Sequence, residues 1–276
     1  MQPSPVSPLW KKCVMDPFSH LVINFFAVVI MMLAGWIVSL ITRNVTIVDS
    51  LWGLGFVLIA WLTYALSDGF FGRKILICIL VTIWGLRLAI HLTRRNHGKE
   101  EDSRYAEWRK RSGRRFWLVS LFKVFLLQAV FLWAIALTLQ WGQLARHPAG
   151  FTPLDYSGAI LWIIGFIFEA VSDRQLARFK SDPASKGRVM DKGLWAWSRH
   201  PNYFGENLMW WGIFLITLST PNAVWTIVSP ILITVVLLKM TGIPLMEKYI
   251  VHSKPGYRAY IARTSAFFPW FPGKKS

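Results

Sequence analysis

The sequence predicts an all-α polytopic membrane protein, a bundle of about seven transmembrane helices with its N-terminus outside and its C-terminus cytoplasmic. Three observations carry that prediction. The 276 residues are 54% hydrophobic and only 16% charged, against roughly 25% charged in an ordinary soluble domain, and the mean hydropathy is +0.40. Apolar stretches of about 20 residues, the length that crosses a bilayer core, recur along the chain. The Lys and Arg residues collect in alternate links between those stretches, as they do in cytoplasmic loops.

The first apolar stretch, 21–42, follows Lys11 and Lys12 without a short apolar core and small-residue cleavage site, so it reads as a retained anchor. Spans at 45–67 and 75–92 come next, followed by a basic link over 93–115. Further spans at 116–139 and 151–172 precede a second basic link over 173–201. Spans at 205–220 and 222–243 then lead into a basic C-terminal segment, 239–276. These three segments hold 23 of the 31 Lys and Arg, which assigns them to the cytoplasm and the weakly charged links near 68–74, 140–150 and 218–222 to the outside. Lys11 and Lys12 alone oppose that orientation. No internal repeat or flexible linker divides the chain, so 1–276 reads as a single membrane domain.

The formal charge of +17 would suggest a nucleic-acid partner in a soluble protein. In a chain this apolar it is accounted for by cytoplasmic loops, and the expected partners are the lipid bilayer and a lipophilic small molecule, with no nucleic acid and no metal. Cys13 and Cys78 are the only cysteines, too few for a disulfide framework or a thiolate metal site.

Charged side chains are costly in hydrocarbon, by about 2.5–3.5 kcal/mol or more, so those within spans are read as paired or functional. Asp49 falls near the start of the second span, Arg87 and His91 near the end of the third, and Lys123 early in the fourth. Glu169 and Asp173 fall late in the fifth span and Glu206 early in the sixth. The predicted topology puts all of them in the cytoplasmic half, as the lining of a polar cavity open to that side. Arg87 and His91 are four residues apart and share a helix face, with Asp49 expected within reach of Arg87. Lys123 is expected to snorkel toward the headgroups.

From Asp173 onward the chain is dense in anion-holding groups: Arg174, Arg178 and Lys180, then Lys186 and Arg188, then Lys192-Gly193-Leu194-Trp195 and the run from Arg199 to Glu206. Gly187 and Gly193 permit close backbone approach, and a helix starting near Asn202 presents free N–H groups and a positive dipole end. Glu247, Tyr257, Arg258, Tyr260 and Arg263 add aromatic faces among bases, a combination able to sandwich a flat ring.

The stretch from Asp173 to Arg188, KGLWAWSRHPNYFGENLMWWG from Lys192, and the later Glu247, Tyr257 and Tyr260 resemble the C-terminal region of the steroid 5-alpha-reductase family, in its bacterial branch. The similarity is looser over the first 170 residues, where Ile47 to Gly53 and Arg95 to Gly98 carry it. The resemblance implies a seven-helix fold that binds NADPH from the cytoplasmic side, with residues 1–150 on the substrate side and 151–276 on the cofactor side. It places Asn96, Asp173, Arg178, Arg188, Asn202, Tyr203, Glu206 and Tyr257 against the dinucleotide. Steroid-reducing members carry adjacent Gln and Glu on the second helix and a Tyr on the third, where this chain has Asp49-Ser50 and Trp84, Arg87 and His91. Arg199-His200-Pro201 with Tyr203, Glu247 and Tyr257 is also similar to the isoprenylcysteine carboxyl methyltransferases, which use S-adenosylmethionine.

The expected function is therefore NADPH-dependent reduction of an activated C=C bond in a steroid-like or other lipid enone. Asp49 is the expected acid at the carbonyl oxygen and His91 the alternative donor. The competing expectations are an S-adenosylmethionine-dependent lipid or prenyl methyltransferase and a non-enzymatic lipid-binding protein. Residence would be the inner membrane of a bacterium or the endoplasmic reticulum of a eukaryote.

Overall fold

The computed structural model describes residues 15–240 and 242–273, and every regular element among them is helical. Lys11, Lys12 and Cys13 lie outside the described residues. The first helix, α1 (Pro17–Thr42), is capped by Asp16, which accepts from the Ser19 amide at 3.0 Å, and ends where Arg43 turns left-handed at φ 52°. α2 (Ile47–Leu66) and α3 (Phe71–Asn96) form a hairpin. Next comes a nearly continuous helical path built from α4 (Ser103–Ser112), α5 (Phe116–Ser120), a π turn over 121–126 and α6 (Leu127–Ile135), closed by α7 (Leu137–Trp141). α8 (Pro153–Ser181) opens on a capping box in which Thr152 and Asp155 bond each other's backbone N–H, with Pro153 in the first turn. After it come α9 (Leu194–Trp197), α10 (Pro201–Thr217), α11 (Val228–Val235), α12 (Ile243–Ser253) and α13 (Tyr257–Arg263).

Every predicted span has a helix. Five helical segments, Pro17–Thr42, Ile47–Leu66, Phe71–Asn96, Ser103–Ile135 and Pro153–Ser181, are long and apolar enough to cross a membrane. The other two, Pro201–Thr217 and the shorter apolar segment Val224–Met240, fall short of that length. α3 and α8 overrun their predicted ends at 92 and 172, because Arg94, Arg95, Arg174 and Arg178 end the hydropathy signal without ending the helix. The burial pattern suits a lipid surround. Phe26, Ile30, Ile41, Ile83, Ile90, Ile160 and Ile167 are exposed on the same helices that bury Asn24, Arg73, Asp155 and Glu169.

Three glycine contacts set the packing. A Cβ on Gly53 of α2 would lie 2.5 Å from the Gly85 carbonyl of α3, so these backbones touch. α8 and α10 meet at two such points, seven residues apart on each helix. A Cβ on Gly165 would lie 2.6 Å from the Gly205 carbonyl, and one on Gly158 would lie 2.5 Å from that of Gly212. Small residues are what let helices approach this closely. α3 and α8 run parallel and are joined by side chains: Arg73 to Asp155, Trp84 to Glu169 and Arg87 to Asp173. Consequently the C-terminal ends of α3 and α8 and the start of α10 lie at one end of the bundle, together with the links at 97–102 and 182–200. This is the basic end. Between it and the opposite end the interior is apolar, with Phe56, Ile59, Ile77, Trp84, Leu132 and Trp210 in one core cluster.

A correction follows at the opposite end. The ionisable residues are not confined to one half, because Arg73 and Asp155 form a fully buried pair with Nε to Oδ1 at 2.8 Å. Arg73 sits one residue before Lys74 at the start of α3, where a hydropathy scan reads a loop.

Candidate functional site

Three helices of the basic end each contribute a pair of polar residues spaced i, i+4, and the three pairs converge. α3 brings Arg87 and His91, α8 brings Glu169 and Asp173, and α10 brings Asn202 and Glu206. Residues four apart lie on one helix face, so each pair points inward together. Arg87 Nη1 meets Glu169 Oε1 at 2.5 Å, while its Nη2 bonds Asp173 Oδ2. Trp84 Nε1 donates to Glu169 Oε2 at 3.0 Å. His91 Nε2 lies 3.8 Å from Asp173 Oδ2, and Asn202 Nδ2 donates to Asp173 Oδ1 at 3.3 Å. Trp52 of α2 bonds Glu206, which also feels Asp173 and Arg87. Three carboxyl groups therefore share one guanidinium. Full ionisation of all three would leave net negative charge in a low-dielectric interior, so the cluster depends on the Arg87 guanidinium and on the donors that face it.

The expected partnership of Arg87 with Asp49 does not form. Gly85 faces α2 through Gly53, and position 87 is about 200° further round the helix, which aims Arg87 at α8 instead. Asp49 is found with Tyr105 Oη at 3.5 Å and Arg95 Nη2 at 3.7 Å, nearer the mouth of the basic end.

The remaining predicted positions divide into three groups. Asn96, at the end of α3, accepts through its Oδ1 from Arg95 Nε at 3.2 Å, and its Nδ2 is buried without a partner. Asn202 Oδ1 is likewise buried and unpartnered. These two amides have hydrogen-bonding capacity that the fold does not use. Arg178 and Arg188 are exposed, on the rim rather than in the cluster. Lys180, in the last turn of α8, is surrounded by the charges of Arg95, Lys99 and Lys254 with Asp173 as the nearby carboxylate, which makes that rim strongly cationic.

Tyr203 and Tyr257 lead to a second cluster. The Tyr203 ring stacks on His200 with centroids 5.5 Å apart and an interplanar angle of 4°. His200 Nε2 lies 3.1 Å from Glu247 Oε1, Arg199 Nε bonds the same oxygen at 2.7 Å, and Tyr257 Oη donates to it at 3.4 Å. Burial pushes the Glu247 carboxyl up, but the hydrogen bonds from His200 and Arg199 outweigh it and hold it down at about 2. Arg199 also donates to the carbonyls of Ile261 and Thr264, so this cluster fastens α12 and α13 to the start of α10. Among the described residues no group of three or more His, Cys, Asp or Glu side chains is disposed to hold a metal ion.

Two members of the main cluster, Arg87 and Glu169, were legible only as intramembrane charges, without an assigned role. Their signal is spacing, since Glu169 stands four residues before Asp173 just as Asn202 stands four before Glu206. Trp52 and Trp84 supply indole N–H donors to carboxylates.

Comparison with known sequences bears on the whole assembly. A family described as "Protein of unknown function (DUF1295)" matches residues 35–264, which include every residue of both clusters. An uncharacterized protein of Schizosaccharomyces pombe is 30% identical over 268 residues, covering 86% of this chain and 76% of the yeast protein. No solved structure matches the chain.

Proposed function

The chain belongs to the DUF1295 family, and from the convergence of α3, α8 and α10 we propose that it is an NADPH-dependent membrane reductase acting on an activated C=C bond of a lipid-soluble enone. The single observation that carries the reading is the pair of buried, unpartnered amide atoms, Asn96 Nδ2 and Asn202 Oδ1, beside a cationic rim. One is a donor and the other an acceptor. A dinucleotide offers matching groups, with a carboxamide to bond amides and phosphates for Arg95, Lys99, Lys180 and Lys254 to neutralise. The residues present therefore fit the group.

NADPH, when bound, supplies the hydride. The chain's own residues do the rest. Asn96 and Asn202 orient the bound group, and Asp173 fixes Asn202 by accepting from its Nδ2. Arg178 and Arg188 extend the cationic rim outward, while Arg87 keeps Glu169 and Asp173 from repelling each other. Asp49, no longer shared with Arg87, is the proposed proton donor to the carbonyl oxygen, with His91 the alternative. The apolar core below the cluster, with Phe56, Trp84 and Trp210, keeps water away from the reacting bond. The basic end is then the cytoplasmic one, so a reporter fused after Arg104 should read as cytoplasmic, and an external reading would reverse that orientation.

The methyltransferase reading gains less support from the geometry. The residues that suggest it, Arg199, His200, Glu247 and Tyr257, spend their hydrogen bonds on one another and on backbone carbonyls. The deciding experiment is titration of the purified full chain with NADPH, NADH and S-adenosylmethionine at fixed salt. NADPH should bind most tightly because its extra phosphate meets the rim. Binding of S-adenosylmethionine alone would replace the reductase reading.

A further inference from the structure

A second set of unpartnered polar atoms lies at the opposite end of the bundle, far from the cofactor cluster and unrelated to it. His20 and Asn24 lie one turn apart on the inner face of α1, and both are buried. Asn24 Nδ2 donates to Thr63 Oγ1 and to Gln140 Oε1, each at 2.8 Å. That leaves Asn24 Oδ1, an acceptor, and Gln140 Nε2, a donor, buried and unsatisfied. His20 Nδ1 and Ser67 Oγ are buried and unsatisfied in the same region, where Lys74 donates to the Ser67 carbonyl at 2.5 Å and its charge acts on His20.

The shortfall is selective. Gln143, three residues from Gln140 and equally buried, spends its Nε2 on the carbonyls of Ala60 and Leu139 at 3.3 and 3.1 Å, and its Oε1 faces Cys78 Sγ at 3.6 Å. Thr138, Thr217 and Ser229 are likewise bonded across helices. These neighbouring side chains are satisfied, as buried polar groups in native interiors are. Asn24 and Gln140 carry no net charge, and the bond between them leaves one free acceptor next to one free donor. A hydroxyl complements that pair, since its proton can go to Oδ1 and its lone pair can accept from Nε2. The outer face of α1 is lined by the exposed Phe18, Phe26 and Ile30, so the helix that carries Asn24 on its inner face borders the lipid from which an amphiphile would come.

We propose that the Asn24–Gln140 amide pair is a second binding site, one that takes the neutral hydroxyl headgroup of a single-chain amphiphile from the bilayer. The site is independent of NADPH and of the reductase reading. The test is thermal unfolding of the full chain in detergent with added 1-dodecanol or dodecane. The alcohol should raise Tm by roughly 2–4 °C more than the alkane at about ten times its dissociation constant. The double variant Asn24→Leu/Gln140→Leu removes both partners together, a change that is close to neutral for folding, and should abolish the difference. If that variant does not fold, Gln140→Met, which deletes the free donor alone, should do the same. Equal shifts from alkane and alcohol, no alcohol shift in the parent chain, or an alcohol shift that survives either variant would overturn the proposal in favour of buried water.

Discussion

Arg87 Nη1 and Glu169 Oε1 stand 2.5 Å apart, a guanidinium of α3 against a carboxylate of α8, with side-chain exposures of 20% and 4%. The bond crosses between helices that otherwise touch sparsely, and it lies one turn below the second bond that Arg87 makes to Asp173. Deleting the cation leaves two carboxylates facing each other without the guanidinium that bridges them. Breaking a buried pair by removing one partner costs about 3–5 kcal/mol, whereas replacing both partners with apolar groups is often neutral. Arg87→Met should therefore lower Tm sharply in detergent, and adding Glu169→Leu should recover part of the loss. A single variant as stable as the parent chain would show that the pair contributes nothing.

The glycine contacts between α8 and α10 give a second expectation. Gly205→Ala forces a methyl to 2.5 Å from the Gly165 carbonyl, and overpacking of that kind costs about 1–3 kcal/mol. Gly150→Ala meets nothing within 4 Å and serves as the control. Thermal unfolding of the two variants should separate them clearly, and equal midpoints would mean that the helices can spread at no cost.

Cofactor binding should respond to the two unpartnered amides without a matching loss of fold. Loss of a hydrogen bond to a charged or strongly polar group is worth about 1.5–3 kcal/mol, so Asn202→Leu and Asn96→Leu should each weaken NADPH binding by roughly tenfold to a hundredfold in a fluorescence titration. Stability should hold or rise in Asn96→Leu, because its Nδ2 is buried unsatisfied. Unchanged NADPH affinity in both variants would detach these residues from the cofactor.

Proton delivery is separable from binding. Asp49→Asn keeps shape and a donor but cannot give up a proton, so turnover should fall by roughly 10²–10⁴-fold while NADPH affinity stays constant. If His91→Gln alone produces that fall, the donor is His91. If neither does, the acid belongs to the carboxyl cluster of Glu169, Asp173 and Glu206.

Acid should loosen the C-terminal helices. The folded pKa of Glu247, about 2, is below its ordinary value of 4.5, so the stability it adds is fully present above about pH 4.5 and is lost as pH falls toward 2. Corrected for the intrinsic pH dependence of amide exchange, protection of α12 and α13 should fall across that window in the parent chain. In Glu247→Gln it should be lower at neutral pH and flat through the window. A parent chain with no acid response would mean that Arg199 and His200 do not stabilise the carboxylate.

Much of the helical layout was readable in the sequence because lipid imposes a long, continuous apolar run on every crossing. Charge at helix ends was misleading, since Arg94, Arg95, Arg174 and Arg178 extend α3 and α8 past the bilayer signal. Depth was legible, and so was the shared face of Arg87 and His91, but depth does not reveal which way a side chain points. Asp49 and Arg87 were matched by depth, and the 200° between positions 85 and 87 separates them. Asn96 and Asn202 could be named only through resemblance, because a single Asn at a helix end carries no chemistry until its neighbours are known. Arg73 and Asp155 were hidden for the opposite reason. Arg73 lies just before the span predicted at 75–92 and Asp155 at the edge of the span predicted from 151, and only the packing of α3 on α8 reveals that both are enclosed.

The glycine contacts divide the bundle in a way that bears on motion. α2 with α3, and α8 with α10, are each fastened backbone to backbone, so each pair can tilt only as one rigid block. The seam between the blocks is held by Arg73, Trp84, Arg87 and His91 reaching to Asp155, Glu169 and Asp173, and polar bonds of this sort can exchange partners as close-packed backbones cannot. Under the proposed function, the seam is where a lipid-soluble substrate would have to enter. The carboxyl cluster straddles it, so the two blocks are joined there by ion pairs and hydrogen bonds rather than by close backbone packing.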